Sequence, residues 1–149
     1  MLGLPSYDFQ ASTSQFDYEF KSIGEKGIIE KVAIFDKIED GLYNFGFGDR
    51  REDSDRIDDS VVSANGDTDM VLATAAHIIV HFLSLFPDAA VIVEGSSKSR
   101  TRLYQQGLNK YWKEISTVLE ILALEDNKWI PFEKGRNFTA FLARRISPD

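Results

Sequence analysis

The chain of 149 residues contains no cysteine, which removes a disulfide framework, a thiolate nucleophile and any zinc site built on sulfur. Histidine is nearly as scarce, with His77 and His81 the whole complement. No stretch reaches the ~20 apolar residues of a membrane-spanning helix. The opening Met1-Leu2-Gly3-Leu4-Pro5 has neither the basic region nor the apolar run of a signal peptide. Repeats, low-complexity tracts and linkers are also missing. These absences point to one cytoplasmic domain spanning 1–149, with no membrane partner and no cofactor implied.

What is present is ordinary for a globular fold: 43% hydrophobic and 28% charged residues. The net charge of −7 argues against general nucleic-acid binding, which needs a basic surface. That charge is unevenly spread. Residues 1–69 carry 16 acidic and 7 basic side chains, and residues 70–149 carry 8 and 10. The acidic first half can therefore supply counter-charge to the second.

Residues 1–15 are polar and mixed, and read as a loosely ordered arm or an edge strand. From 16 to 23 the alternation is strict, with Phe16, Tyr18 and Phe20 on one face of a half-buried strand. Gly24-Glu25-Lys26-Gly27 is a hairpin turn. The β-branched content of 28–38 favours a strand over a short helix, with Ile29, Lys31, Ala33 and Phe35 sharing a face. After a turn at 39–41, a third antiparallel strand covers 42–48. Its glycines suggest a bulge or a close approach to the backbone.

The segment 49–69 lacks apolar periodicity and holds eight carboxylates, Asp58 and Asp59 among them. Their spacing does not match the calcium-loop pattern of alternating acids, a glycine and a distant Glu. Three arginines among them favour a self-paired charged loop, and no metal is assigned. A helix over about 67–86 follows, capped by 65–68 and ended by Pro87. It is apolar nearly all round and is expected to be central and largely buried. Thr74, His77, His81 and Ser84 form one narrow stripe along it. Ile78 follows His77, so the Glu of a zinc-protease helix is missing. The histidines are read either as an acid–base pair or as side chains at a wet helix edge or hydrogen-bonded under a loop.

A strand over 89–94 leads into Gly95-Ser96-Ser97-Lys98-Ser99-Arg100-Thr101-Arg102, which opens a second helix over about 97–115. Leu103, Tyr104, Gly107, Leu108, Tyr111, Trp112 and Ile115 form its apolar stripe, with Lys98, Arg102, Gln106, Asn109 and Lys113 opposite. Gly107, costing ~1 kcal/mol relative to alanine in a helix, is read as a point of close approach. Three cations at the positive pole of a helix require something negative nearby. Two sources are open: carboxylates of 49–59 or Asp67 pairing with Arg100 and Arg102, or an external anion. In the second case Ser96 and Ser97 cap the helix, its free N–H groups point outward, and Lys98, Arg100 and Arg102 add donors. Ser96 is not read as a nucleophile, because the Gly-x-Ser-x-Gly elbow is absent. The rest reads as a strand at 118–124, a turn, an edge strand at 128–132 containing Pro131, a turn, and a last strand at 138–146.

The segments Tyr43-Asn44-Phe45-Gly46-Phe47-Gly48-Asp49, Gly66-Asp67 with Val71-Leu72-Ala73-Thr74, and Gly95-Ser96 with Arg100-Thr101-Arg102-Leu103-Tyr104 together resemble a family of short bacterial proteins of unknown function. The resemblance covers most of the chain. It implies a stand-alone bacterial domain and assigns no activity, cofactor or substrate. The fold expected is α+β: a twisted, mainly antiparallel sheet with two principal helices, about 67–86 and 97–115. The function expected is a small binding module with an anion-recognition turn at 95–102, taking a small anionic ligand or a protein partner. The alternative is an enzyme on a phosphorylated or other anionic substrate, joining that turn to Asp58, Asp59, His77 and His81.

Overall fold

A computed structural model of the chain describes residues 2–50, 57–58, 65–95 and 97–146, with only the backbone described for 57–58. In chain order the elements are β1 (Phe9–Ala11), β2 (Asp17–Gly24), β3 (Gly27–Glu39), β4 (Leu42–Arg50), β5 (Ile57–Asp58), α1 (Thr68–Leu85), β6 (Ala90–Val93), α2 (Lys98–Lys110), α3 (Trp112–Ile115), β7 (Leu119–Glu125), β8 (Lys128–Pro131) and β9 (Phe141–Arg145). The strands form one open, twisted sheet in the order β1-β2-β3-β4-β6-β9-β7-β8, with β5 attached to β4. Every pairing is antiparallel except that of β4 with β6. The architecture is α+β, as the pattern of strands and helices predicts.

The strand alternation decides which face is covered. Tyr18 and Phe20 of β2, Ala33 and Phe35 of β3, and Phe45 and Phe47 of β4 are buried on one face, under α1. Phe35 stacks on Phe82 of α1, ring centroids 3.9 Å apart. Eight of the eighteen residues of α1 are buried, and the four exposed ones lie at its two ends, so the helix is central. By length and composition α1 is apolar enough to cross a membrane, which the count of consecutive apolar residues does not reveal. Here its apolar face packs on the sheet.

Turn chemistry sets the hairpins. Glu25 and Lys26 join β2 to β3 between the paired Gly24 and Gly27, as expected. Asp126 and Asn127 join β7 to β8 with φ of 51° and 63°, the two-residue geometry that matches strand twist. The arm contains the short edge strand β1, and β8 with Pro131 forms the other edge.

Three features differ from the sequence expectation. The second helix breaks at Tyr111, leaving α2 and a single further turn, α3. The last strand, expected over 138–146, is shortened to Phe141–Arg145, and as β9 it inserts between β6 and β7. The short β5 pairs Ile57 and Asp58 with Arg50 and Asp49, inside a segment that carries no strand periodicity.

Candidate functional site

α1 divides the candidate residues between two flanks. Leu72, Ala76 and Ile79 lie on the side facing α2, while Thr74, His77 and His81 lie roughly half a turn around, facing the arm and β2. His77 Nε2 donates to the Leu4 carbonyl at 2.7 Å. His81 Nδ1 is hydrogen-bonded to the Tyr18 hydroxyl at 2.9 Å, with the ring edge-on to Phe9 and Tyr18. Thr74 Oγ1 accepts from the Tyr7 amide at 2.9 Å and donates to the Met70 carbonyl at 2.7 Å. Of the sequence readings, hydrogen bonding under a covering segment is the arrangement found. The stripe fastens the arm, and the structure does not bring it to the basic turn.

Asp67 at the start of α1 does not pair with an arginine of that turn. Its Oδ2 accepts from Ser22 Oγ at 2.5 Å and from the Tyr7 hydroxyl at 2.7 Å. Burial is the larger cause, and the Asp67 hydrogen bond the next, of a Tyr7 phenol raised above its usual range. The position is the helix N-cap, but the carboxylate caps no backbone N–H. Asn65, read from sequence as a capping residue, is 2% exposed and plugs the β2–β3 hairpin instead. Its Nδ2 donates to Ser22 Oγ and the Gly27 carbonyl, and its Oδ1 accepts from the Lys26 amide. The Asn65 carbonyl accepts from the Glu25 amide across Gly24, where a Cβ would lie 1.9 Å from that oxygen.

The basic turn follows β6. Ser97 is the N-cap of α2, and its Oγ accepts from the Arg100 amide at 3.2 Å. Gly95 is required for the turn: a Cβ there would lie 2.5 Å from both the Arg100 Cβ and the Thr101 amide nitrogen. Thr101 Oγ1 closes it by accepting from the Gly95 amide at 3.0 Å. The three cations then separate. Arg100 is 7% exposed, and its Nη1 donates to the Phe47 carbonyl at 3.0 Å. That carbonyl lies where the outer edge of β4 passes from its pairing with β6 at residues 42–45 to its pairing with β5 at 49–50. The arginine thus reaches the β4 backbone between Gly46 and Gly48. Lys98 and Arg102 are exposed, one turn apart on the same helix face. Neither forms an ion pair or hydrogen bond with another described residue. The first turn of α2 contains no acid.

Ser96 lies outside the described residues, as do Glu52, Asp53, Asp55 and Asp59, four of the loop carboxylates with which Arg100 and Arg102 were expected to pair; Asp49, at the start of that loop, pairs with Lys31. Asp58 is placed only as backbone opposite Asp49. Among the described residues, no group of three or more His, Asp or Glu side chains gathers as metal ligands would.

Two buried polar features escaped the sequence reading. Lys31 and Asp49 form a cross-strand ion pair, 4% and 9% exposed, on the core face. Strand alternation carried that signal, since it puts Lys31 in line with Ala33 and Phe35, and Asp49 in line with Phe47. Gln105 on α2 accepts from the Phe138 amide at 2.8 Å and donates to the Arg136 carbonyl and Asn137, fixing the approach to β9. Nothing local marks it, because its partners lie more than thirty residues away.

The chain belongs to a family of unknown function, DUF6934, whose model matches residues 3–146. The family covers both the arm held by the histidines and the turn carrying the cations. No curated protein and no solved structure matches the chain.

Proposed function

We propose that this member of the family is a cytoplasmic binding module that recognises an anionic group, phosphate or carboxylate, at the first turn of α2. The observation that carries the reading is the pair Lys98 and Arg102, exposed and uncompensated among the described residues at the positive pole of a helix. A cation there is disfavoured by ~0.3–1 kcal/mol when exposed. An incoming anion relieves that repulsion and meets the first-turn N–H groups that Ser97 leaves outward. The packing at Gly95 and the hydrogen bonds of Thr101 and Arg100 shape the turn before any ligand arrives, which reduces the ordering that binding must oppose.

Amide NMR during titration with inorganic phosphate, and separately with a short acidic peptide, tests this. The expected result is saturable shifts confined to residues 97–102, lost in Lys98→Gln/Arg102→Gln. Absence of shifts with both ligands, or shifts that persist in the double variant, refutes the reading. An enzyme that joined the turn to Asp58, Asp59, His77 and His81 would show coupled shifts at the histidines, on the far flank of α1.

A further inference from the structure

A cavity of about 80 Å³ lies between α1, α2 and the sheet, on the flank of α1 away from the histidines. Leu72, Ala75, Ala76 and Ile79 of α1 form one wall, and Gly107 and Leu108 of α2 part of the other. Its floor includes Phe45, Ile121, Phe141 and Ala143. Among the described lining residues, Tyr104 and Tyr111 bring the only side-chain polar atoms, so the lining is almost wholly hydrocarbon, the kind of surface that suits an apolar guest better than water.

The space exists because of residue choice. Ala75, Ala76, Ala143 and Gly107 place small side chains, or none, where a close-packed core would carry larger ones. Gly107 is also where the helices touch, since a Cβ there would lie 3.2 Å from Leu72 Cδ1. The helix spacing is therefore fixed at that contact and does not collapse to fill the gap. An empty apolar void lowers stability in proportion to its volume, because its lining atoms lack partners on one side.

We propose that this crevice is a binding pocket for a small uncharged apolar molecule: a short alkyl chain, or at most a single aromatic ring. Its volume sets that limit, being roughly half of the ~150 Å³ apolar cavity that takes up benzene. The site is independent of the anion reading, since it uses the inward face of α2 while Lys98 and Arg102 occupy the outward one.

Methyl NMR of the full chain under xenon pressure, and with added benzene, tests the pocket. Shifts confined to the methyls of Leu72, Ile79, Leu108 and Ile121, with a raised melting temperature, are expected. Ala76→Leu, which fills the space, is expected to melt no lower than the parent and to bind either probe at least tenfold more weakly. Leu108→Ala, which enlarges it, is expected to bind benzene more tightly, and serves if Ala76→Leu does not fold. No lining shift from either probe, shifts that survive Ala76→Leu, or unchanged benzene affinity in Leu108→Ala each overturn the proposal.

Discussion

The two main helices begin in opposite ways. At the start of α1 the acids and the asparagine are engaged by the fold itself: Asp67 binds Ser22 and Tyr7, Asn65 plugs a hairpin, and Asp69 pairs with Lys110 of α2. Its acids lie where the helix dipole favours them. At the start of α2 the charges have the disfavoured sign, and only Arg100 is turned inward, onto Phe47. Lys98 and Arg102 are left to solvent. A helix start that satisfies itself is architecture. One that keeps its cations outward, on a turn closed from within by Gly95, Thr101 and Arg100, is the feature on which the proposed anion site rests.

If the start of α1 is architectural, breaking it costs stability first. Asn65→Ala removes an amide that joins three partners at 2% exposure and leaves buried groups unpaired. A loss of ~2–4 kcal/mol in urea unfolding is expected, while phosphate binding at α2 in the folded fraction stays intact. A loss under ~1 kcal/mol, within the range of an exposed hydrogen bond, would remove the contrast from this side.

The same closed character extends along α1 to Tyr18, whose phenol burial pushes up to about 12. Because the folded value lies above the unfolded one near 10, the neutral phenol contributes its full stabilisation below pH 10. That contribution is lost as the pH rises through 12. A drop on the order of 2–3 kcal/mol is expected over this window. Tyr18→Phe should be less stable at neutral pH, having lost the bond to His81, yet show a shallower alkaline decline. An unchanged alkaline slope in the variant would place the titration elsewhere.

On the α2 side the turn itself can be broken. Gly95→Ala forces a Cβ into the backbone of Arg100 and Thr101. A loss of ~1–3 kcal/mol is expected, together with loss of anion binding, since the first-turn N–H groups are displaced. A variant that loses stability but binds phosphate as before would detach the turn from recognition.

Much of this contrast was legible along the chain. Alternation at Phe16, Tyr18 and Phe20 gave β2 and its buried face, and Gly24 with Gly27 gave the hairpin, because both are local matters of pleat and turn. Gly107 was legible as a contact because a helix-interior glycine on the apolar stripe needs a steric reason. The insertion of β9 between β6 and β7 was not legible, since the periodicity of a strand says which face it buries but not which strand it joins. Asn65 looked like a cap for the same reason: its residue type suits a helix start, while its partners at Ser22 and Gly27 are set by the tertiary approach of β2 and β3. The three cations were visible as a group, but their division between inward Arg100 and outward Lys98 and Arg102 depended on the open carbonyl of Phe47.

The smallest expected effect is also the most direct test of an outward-facing α2. Melting temperatures of the parent chain and of Lys98→Gln/Arg102→Gln are compared in chloride and in phosphate at equal ionic strength. In chloride the double variant should melt at or about 1–3 °C above the parent, because removing two misplaced cations relieves repulsion. In phosphate the parent should gain several degrees over its chloride value and the double variant none. Equal gains for both proteins, or a double variant less stable than its parent in chloride, would contradict an anion site at the first turn of α2.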